Sequence, residues 1–176
     1  MNSMSGHKAK VIAEFIAKFE SEVAALSMSA KAAHEAATHE ESKAEDSHDT
    51  RGVEASYLAS AQSARIAELK AVVLEYKGLH STALATEKSG SVVAAGTLVK
   101  IQPLVSADSE TPKGGAIHAL FAVRGGGTTV EVEGCSYSVF TPISPIGEAI
   151  LGGSPGEVFE IESKGGTRAY RIESVG

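Results

Sequence analysis

Between residues 12 and 79 the apolar positions of this chain keep a heptad beat. Ile12, Phe19, Val23, Leu26, Ala30, Ala33 and Ala37 follow one another, after a first step of seven, at alternating intervals of four and three. Leu58, Gln62, Arg65, Leu69, Val72, Tyr76 and Leu79 repeat that alternation. The spacing keeps one stripe of side chains on one face of a helix, the seam of a coiled coil. Ala, Glu and Lys, good helix formers, fill much of the remainder. Before residue 80 there is no proline, and the only glycines are Gly6, Gly52 and Gly78. Two antiparallel helices of roughly 35 and 25 residues follow, the longer one ~50 Å at the helical rise. The larger apolar residues lie away from the bend, and Phe15, Phe19 and Tyr76 fall at the base of the hairpin, where they read as core.

The bend is the stretch KAEDSHDTRGVEASY, residues 43–57. It crowds Glu45, Asp46, Asp49 and Glu54 against Lys43 and Arg51. Asp49 and Thr50 suit the cap of the second helix, and Gly52 eases the turn. Neighbouring carboxylates repel one another, and a cation or a basic surface relieves that repulsion. The simpler alternative is a solvated acidic turn on a hairpin that only spaces or dimerises.

Past residue 80 the pattern changes. HSTALATEKSGSVVAA, residues 80–95, reads as a linker joining a short first strand, so the division is hairpin 1–80, linker 81–95 and a second domain 96–176. TLVKIQPLV, AIHALFAV, TTVEVEG, SYSVFTP, GEVFEIE and TRAYRIESV then alternate or run apolar with β-branched and aromatic residues, as strands do. PKGG, RGGG, EG and SKGG punctuate them and read as hairpin turns. None leads from a strand into a helix with phosphate-loop spacing. Ser144 as N-cap, Pro145 at the first position and Gly152 as stop mark one short helix. The fold class predicted is α+β: an antiparallel helical hairpin followed by an antiparallel sheet domain with one short helix.

Composition narrows the function classes. The 176 residues are 43% apolar and 22% charged, enough for a core. The net charge of −6 disfavours broad contact with nucleic acid, which needs clustered Lys and Arg. No apolar run approaches the ~20 residues that span a bilayer. The polar start MNSMSGHKAK predicts no secretion signal, and a cytoplasmic location fits best. Cys135 is the single cysteine, so neither an internal disulfide nor a thiolate metal site is built from it. It follows an Glu-Gly turn and reads as a half-buried strand residue rather than a nucleophile, since no base and orienting partner accompany it. His34 and His39 are five apart with no evident third ligand, and His48 reads as a loop histidine.

The stretch TPISPIGEAILGGSPGEVFEI, followed by KGGTRAYRIESV, resembles the C-terminal domain of the GreA/GreB transcription elongation factors. The residues that carry the likeness are Ser144, Pro145, Ile146, Gly147, Ala149, Ile150, Leu151, Gly152, Gly156, Glu157, Gly165, Gly166 and Tyr170. The match is close over residues 141–176, and the order of hairpin, linker and sheet domain fits the family in outline. The resemblance implies an FKBP-like sheet domain that grips the rim of the secondary channel of bacterial RNA polymerase, with Ser144, Pro145 and Ile146 at the partner-binding surface. It implies a hairpin that enters the channel, where tip carboxylates help hold a second Mg²⁺ at the polymerase active site while a backtracked transcript is cut. Two-metal cleavage sets cations roughly 3.5–4 Å apart, and Mg²⁺ keeps several waters, so one or two borrowed carboxylates suffice. On this likeness the chain is no enzyme itself, holds no metal when free, and meets RNA or DNA only through the polymerase.

The tip departs from the family. Gre factors usually place Asp and Glu three apart in Gly-Asp-x-x-Glu-Asn-Ala-Glu-Tyr. Here Asp49 and Glu54 are five apart, and ungapped alignment from Tyr57 puts Thr50 and Val53 at the two acidic positions. Asp46 and Asp49 keep the three-residue interval but lie earlier. The order of expectation for the acting carboxylates is Asp49, Glu54, then Asp46 and Glu45. Where the family often has Asp or Asn before Ser-Pro, this chain has Ile143. Three alternatives stand beside a cleavage factor: a non-cleaving relative that blocks or remodels the channel, an FKBP-like peptidyl-prolyl isomerase or chaperone, and a plain coiled-coil scaffold.

Overall fold

The computed structural model describes residues 4–41, 50–85 and 91–176. Their order is α1 (Met4–Glu41), α2 (Thr50–Ala85), β1 (Leu98–Leu104), β2 (Ile117–Phe121), β3 (Thr129–Val132), β4 (Cys135–Phe140), α3 (Pro145–Ile150), β5 (Val158–Ser163) and β6 (Gly166–Val175). The α+β class holds, with a helical hairpin ahead of a sheet that carries one short helix. Two compact units make up the chain: Ile16–Glu75, and Met1–Phe15 together with Tyr76–Gly176.

In the unit Ile16–Glu75 the heptad seam is real but tapers. Phe19, Leu69, Val72 and Val73 are buried. Val23, Leu26, Ala30, Gln62 and Ile66 are half-buried. Nearer the bend Ala33 is exposed, and Leu58 keeps 59% of its surface. Methyl side chains cover little, so a seam that shrinks to alanine leaves its partners wet. Arg65, expected on the seam, instead lies exposed and reaches Glu68 at 2.8 Å. A guanidinium gains nothing from an apolar seam and keeps its head in water.

Helix α2 runs on to Ala85, into the stretch expected as a linker. Ser81 and Thr82 do not break it because their hydroxyls donate to the carbonyls of Lys77 and Gly78, one turn back. Ala83, 2% exposed, anchors that last turn. No strand forms over residues 91–95. Val93 instead exchanges backbone hydrogen bonds with Gly152 and Gly153, both at 2.9 Å, and is buried in the sheet core.

The sheet order is β3-β4-β2-β1-β6-β5. It is mixed rather than wholly antiparallel, because β2 and β4 pair in parallel. The buried run Ala119–Ala122 in and after β2 needs covering neighbours on both sides. Strand β4, with Tyr137 and Val139 buried, supplies one, while the four-residue β3 exposes Thr129 and Glu131 and takes the edge. Short, polar-faced strands suit edges. The crossover that achieves this runs through RGGG, which is therefore not a hairpin turn. PKGG does lie between antiparallel neighbours, but in the long loop that joins β1 to β2 rather than in a tight turn, pinned where the Gln102 amide donates to the Gly114 carbonyl at 3.0 Å. Glu133-Gly134 is a tight hairpin, with φ of 53° and 80°, the type I′ signature whose twist matches paired strands. SKGG joins β5 to β6 as expected.

The sheet core gathers Val93, Val99, Ile101, Phe121, Ile150, Tyr170, Ile172 and Val175. In the same unit the first turns of α1 and the last turns of α2 are buried at Ala9, Val11, Ile12, Phe15 and Tyr76. Phe15 and Tyr76 meet edge-on at 6.0 Å, and the Tyr76 hydroxyl donates to the Arg124 carbonyl at 2.9 Å. All three aromatics expected at the hairpin base are core, Phe19 included.

Candidate functional site

Two groups of residues hold their side chains in close mutual contact: the loop leading into α3, and the cluster at the start of α1. The loop is Thr141–Ser144. The Ser144 hydroxyl is its hub, donating to the Thr141 carbonyl at 2.8 Å. It also accepts from the Gly147 amide at 3.1 Å and the Thr141 amide at 3.3 Å. The Ser144 amide donates to the same Thr141 carbonyl at 2.9 Å, and its carbonyl accepts from Glu148 at 2.8 Å. This is an N-cap that satisfies orphan helix donors. Gly147 is required beneath it, since a Cβ there would collide with the Thr141 carbonyl oxygen. At the other end Gly152, with φ of 77°, takes the left-handed position that stops the helix.

The three residues expected at the partner surface thus differ in what they offer. Ser144 is occupied internally. Ile146 is half-buried and packs against the sheet core. Pro145 is exposed. The residue most fully displayed is Ile143, at 92% exposure, with Leu151 at 53% beyond the far end of α3.

The second cluster was invisible in the sequence, because its members are far apart along the chain and belong to no motif. His7 Nε2 lies 2.7 Å from the Tyr137 hydroxyl, and its Nδ1 lies 3.5 Å from Glu133. Lys10 donates to Glu133 at 2.7 Å. His118 faces Tyr137 from its other neighbour strand, ring to ring at 5.5 Å. The Lys10 hydrogen bond and charge hold Glu133 below the usual carboxylate range. Burial, with the charges of Cys135 and Glu133, raises Tyr137. Burial, then Lys100, lowers His118. The cluster fastens the first turns of α1 to the β3–β4 hairpin. Cys135 beside it is exposed, not half-buried, because it opens β4 at the turn.

Of the tip carboxylates, Glu45, Asp46 and Asp49 lie outside the described residues, as does His48, while His39 is in α1 and only its place in that helix is described. Glu54 is in α2, and only its place in the helix is described. Among the described residues no three His, Cys, Asp or Glu side chains converge as a metal site, and His34 is exposed on α1. No helix among them is long and apolar enough to cross a membrane.

No protein-family model matches the chain, and no curated protein matches it significantly. Among solved structures it is similar to GreA factor homolog 1 of Thermus thermophilus, at 16% identity and a TM-score of 0.36 over 92% of this chain and 94% of that one. The Thermus aquaticus counterpart gives 18% identity and 0.35 over 90% and 91%. A prokaryotic transcription elongation factor GreA/GreB from Nitrosomonas europaea gives 18% and 0.33 over 57% and 77%. Likenesses at this level do not bear on what the chain does.

Proposed function

We propose that this chain is an accessory transcription factor of the Gre type. It binds bacterial RNA polymerase at the secondary channel and acts on stalled or backtracked complexes through the carboxylates of its bend. What supports this is a conjunction in one chain. A hairpin of two long helices carries a carboxylate-crowded bend. The same chain carries the Thr141–Gly152 segment, where Ser144, Pro145, Gly147 and Gly152 each occupy the conformation their motif demands. Ser144 and Gly147 set the loop and leave Ile143 and Pro145 facing outward, so the surface that meets polymerase is built by residues that do not themselves touch it.

At the bend, Asp49 and Glu54 lead, with Asp46 and Glu45 beside them. Their task is to offer hard oxygen ligands to a Mg²⁺ that the polymerase already partly holds. The polymerase supplies the nucleophilic water and the substrate; the chain supplies negative charge where a second cation must sit. Mg²⁺ is therefore the polymerase's ion, shared in the complex.

A second function fits one specific observation. Asp49 and Glu54 stand five residues apart, not three. A bend of that spacing suits a factor that occupies the channel without completing the metal site. Transcript shortening in backtracked polymerase complexes with Mg²⁺ separates the two. A cleavage factor accelerates it, and the Asp49→Ala, Glu54→Ala chain loses at least tenfold of that acceleration while still binding. A channel-blocking factor binds equally well and slows both cleavage and nucleotide addition. Absence of binding overturns both.

A further inference from the structure

The sheet has two edges, and they are not alike. Strand β3 has four residues, and the hairpin it forms with β4 is fastened to α1 through Glu133. Strand β5 has six residues, Val158–Ser163, and pairs only with β6. Ser163 lies opposite Gly166 across the two-residue turn Lys164-Gly165, and the register runs unbroken back to Val158 opposite Arg171. A two-residue turn makes its flanking pair a hydrogen-bonded one, so Ile161 and Phe159 also bond to β6. The Ile172 amide, which donates to the Glu157 carbonyl at 2.9 Å, keeps the same alternation two residues on. The amides and carbonyls of Val158, Glu160 and Glu162 therefore point away from the sheet. Among the described residues, no backbone group outside the sheet bonds to this strand.

The register also assigns the faces. Val158, Glu160 and Glu162 share one face with the residues opposite them, Arg171, Ala169 and Thr167. Both glutamates are exposed, and Val158 is 40% exposed. A cleft of about 420 Å³ opens beside Val158 on that face, lined by Asp108, Ser109, Glu110 and Arg171 among others. Glu110 lies 3.6 Å from the Arg171 guanidinium. Arg168 is opposite Ile161 and so belongs to the other face, and Lys164 is in the turn. Along the open edge, then, Glu160, Glu162, Asp108 and Glu110 stand against Arg171. On the other face Phe159 and Ile161 are half-buried against the sheet core.

We propose that β5 takes up an added strand: an extended segment of a protein partner with Lys or Arg at alternate positions and apolar residues between them. Main-chain bonds to Val158, Glu160 and Glu162 hold the segment, and its alternate side chains give the selectivity. The basic ones fall opposite Glu160 and Glu162, and the apolar ones lie beside Phe159 and Ile161. A second copy of this chain fits badly, because β5 against β5 sets glutamate opposite glutamate. Charges on an edge guard it against its own kind, yet charges of one sign leave it open to a strand of the other. The inference stands apart from the polymerase reading and adds a second partner to it.

The test titrates the full chain with a short synthetic peptide that alternates Lys and Val, and with one that alternates Glu and Val, while NMR follows amide hydrogen exchange. The proposal expects the Lys-Val peptide to bind and to slow exchange at Val158, Glu160 and Glu162, the amides that point outward. It expects the Glu-Val peptide to bind about tenfold more weakly or worse, and that preference to reverse in a Glu160→Lys, Glu162→Lys chain. Glu160→Pro removes an outward amide and no ladder bond, and should weaken the Lys-Val peptide by about tenfold. Should the proline variant melt early, the charge-reversed chain decides. A Lys-Val peptide that does not bind, or that binds without protecting those three amides, overturns the proposal. So does a preference for Lys-Val that survives both lysine substitutions. A wild-type chain that self-associates in sedimentation velocity, with the same three amides protected, overturns it in favour of a second copy.

Discussion

The sheet with its loops and the two long helices hold their side chains in opposite ways. In the sheet, Ile101, Leu120, Phe121 and Ile172 are all at or below 1% exposure, as is Ile150 of α3. The loop before α3 packs so tightly on that helix that a methyl group at Gly147 would strike the Thr141 carbonyl. Along the helices, burial is a stripe that fades. Met28 is 73% exposed, Tyr57 74% and Leu58 59%, and a methyl group at Gly78 would meet nothing within 4 Å. A sheet domain is specified by many mutual contacts, whereas a two-helix stripe is specified by a few large residues. The sheet region therefore suits a fixed docking surface, and the helices suit carrying a group over a distance.

Core truncation breaks this contrast most strongly. Phe121→Ala should cost about 3–5 kcal/mol, whereas Leu58→Ala should stay within about 0.5 kcal/mol; equal losses in urea unfolding would contradict the division. Next is Gly147→Ala, which forces the Thr141 carbonyl aside and should cost about 1–3 kcal/mol. The matching change in a helix goes the other way. Gly78→Ala, with open space around it, should stabilise by about 0.5–1 kcal/mol and raise the melting temperature.

The smallest effect is a pH dependence. Burial and Lys100 lower the pKa of His118 below its ordinary 6.5, against a smaller raising contribution from Glu173. A lowered base binds its proton more readily in the unfolded chain, so its contribution to stability is full above pH 6.5 and is lost as pH falls through the lower folded value. The melting temperature should drop as the pH falls below about 6.5, and His118→Gln should reduce that drop. An unchanged drop would assign it to another group.

What could be read from the sequence was whatever is local. The heptad intervals announced α1 and α2, and Ser144, Pro145 and Gly152 announced α3 with its ends. Glu133-Gly134 and Lys164-Gly165-Gly166 announced their hairpins, because a turn is decided by its own two or three residues. The parallel pairing of β2 with β4 was not legible. Strand alternation tells which face is buried, not which strand lies alongside, and RGGG reads alike whether it turns back or crosses over. His7, Tyr137 and Glu133 meet only through that topology. In the loop before α3 the type of each residue was legible but not its exposure: Ser144 and Ile146 turn inward, and Ile143 is displayed. At the bend, the crowding of Glu45, Asp46, Asp49 and Glu54 is plain in the sequence, and of the four the structure places only Glu54, within α2.

The central claim is that the bend between α1 and α2 is delivered to the polymerase active site. A photo-crosslinking amino acid at position 50, at the start of α2, tests it in complexes with backtracked bacterial RNA polymerase. The account predicts a crosslink to the catalytic subunit beside the active-site Mg²⁺, lost when an excess of the unlabelled chain is added. A complex that forms with no crosslink there, or with one only on the polymerase exterior, would contradict it.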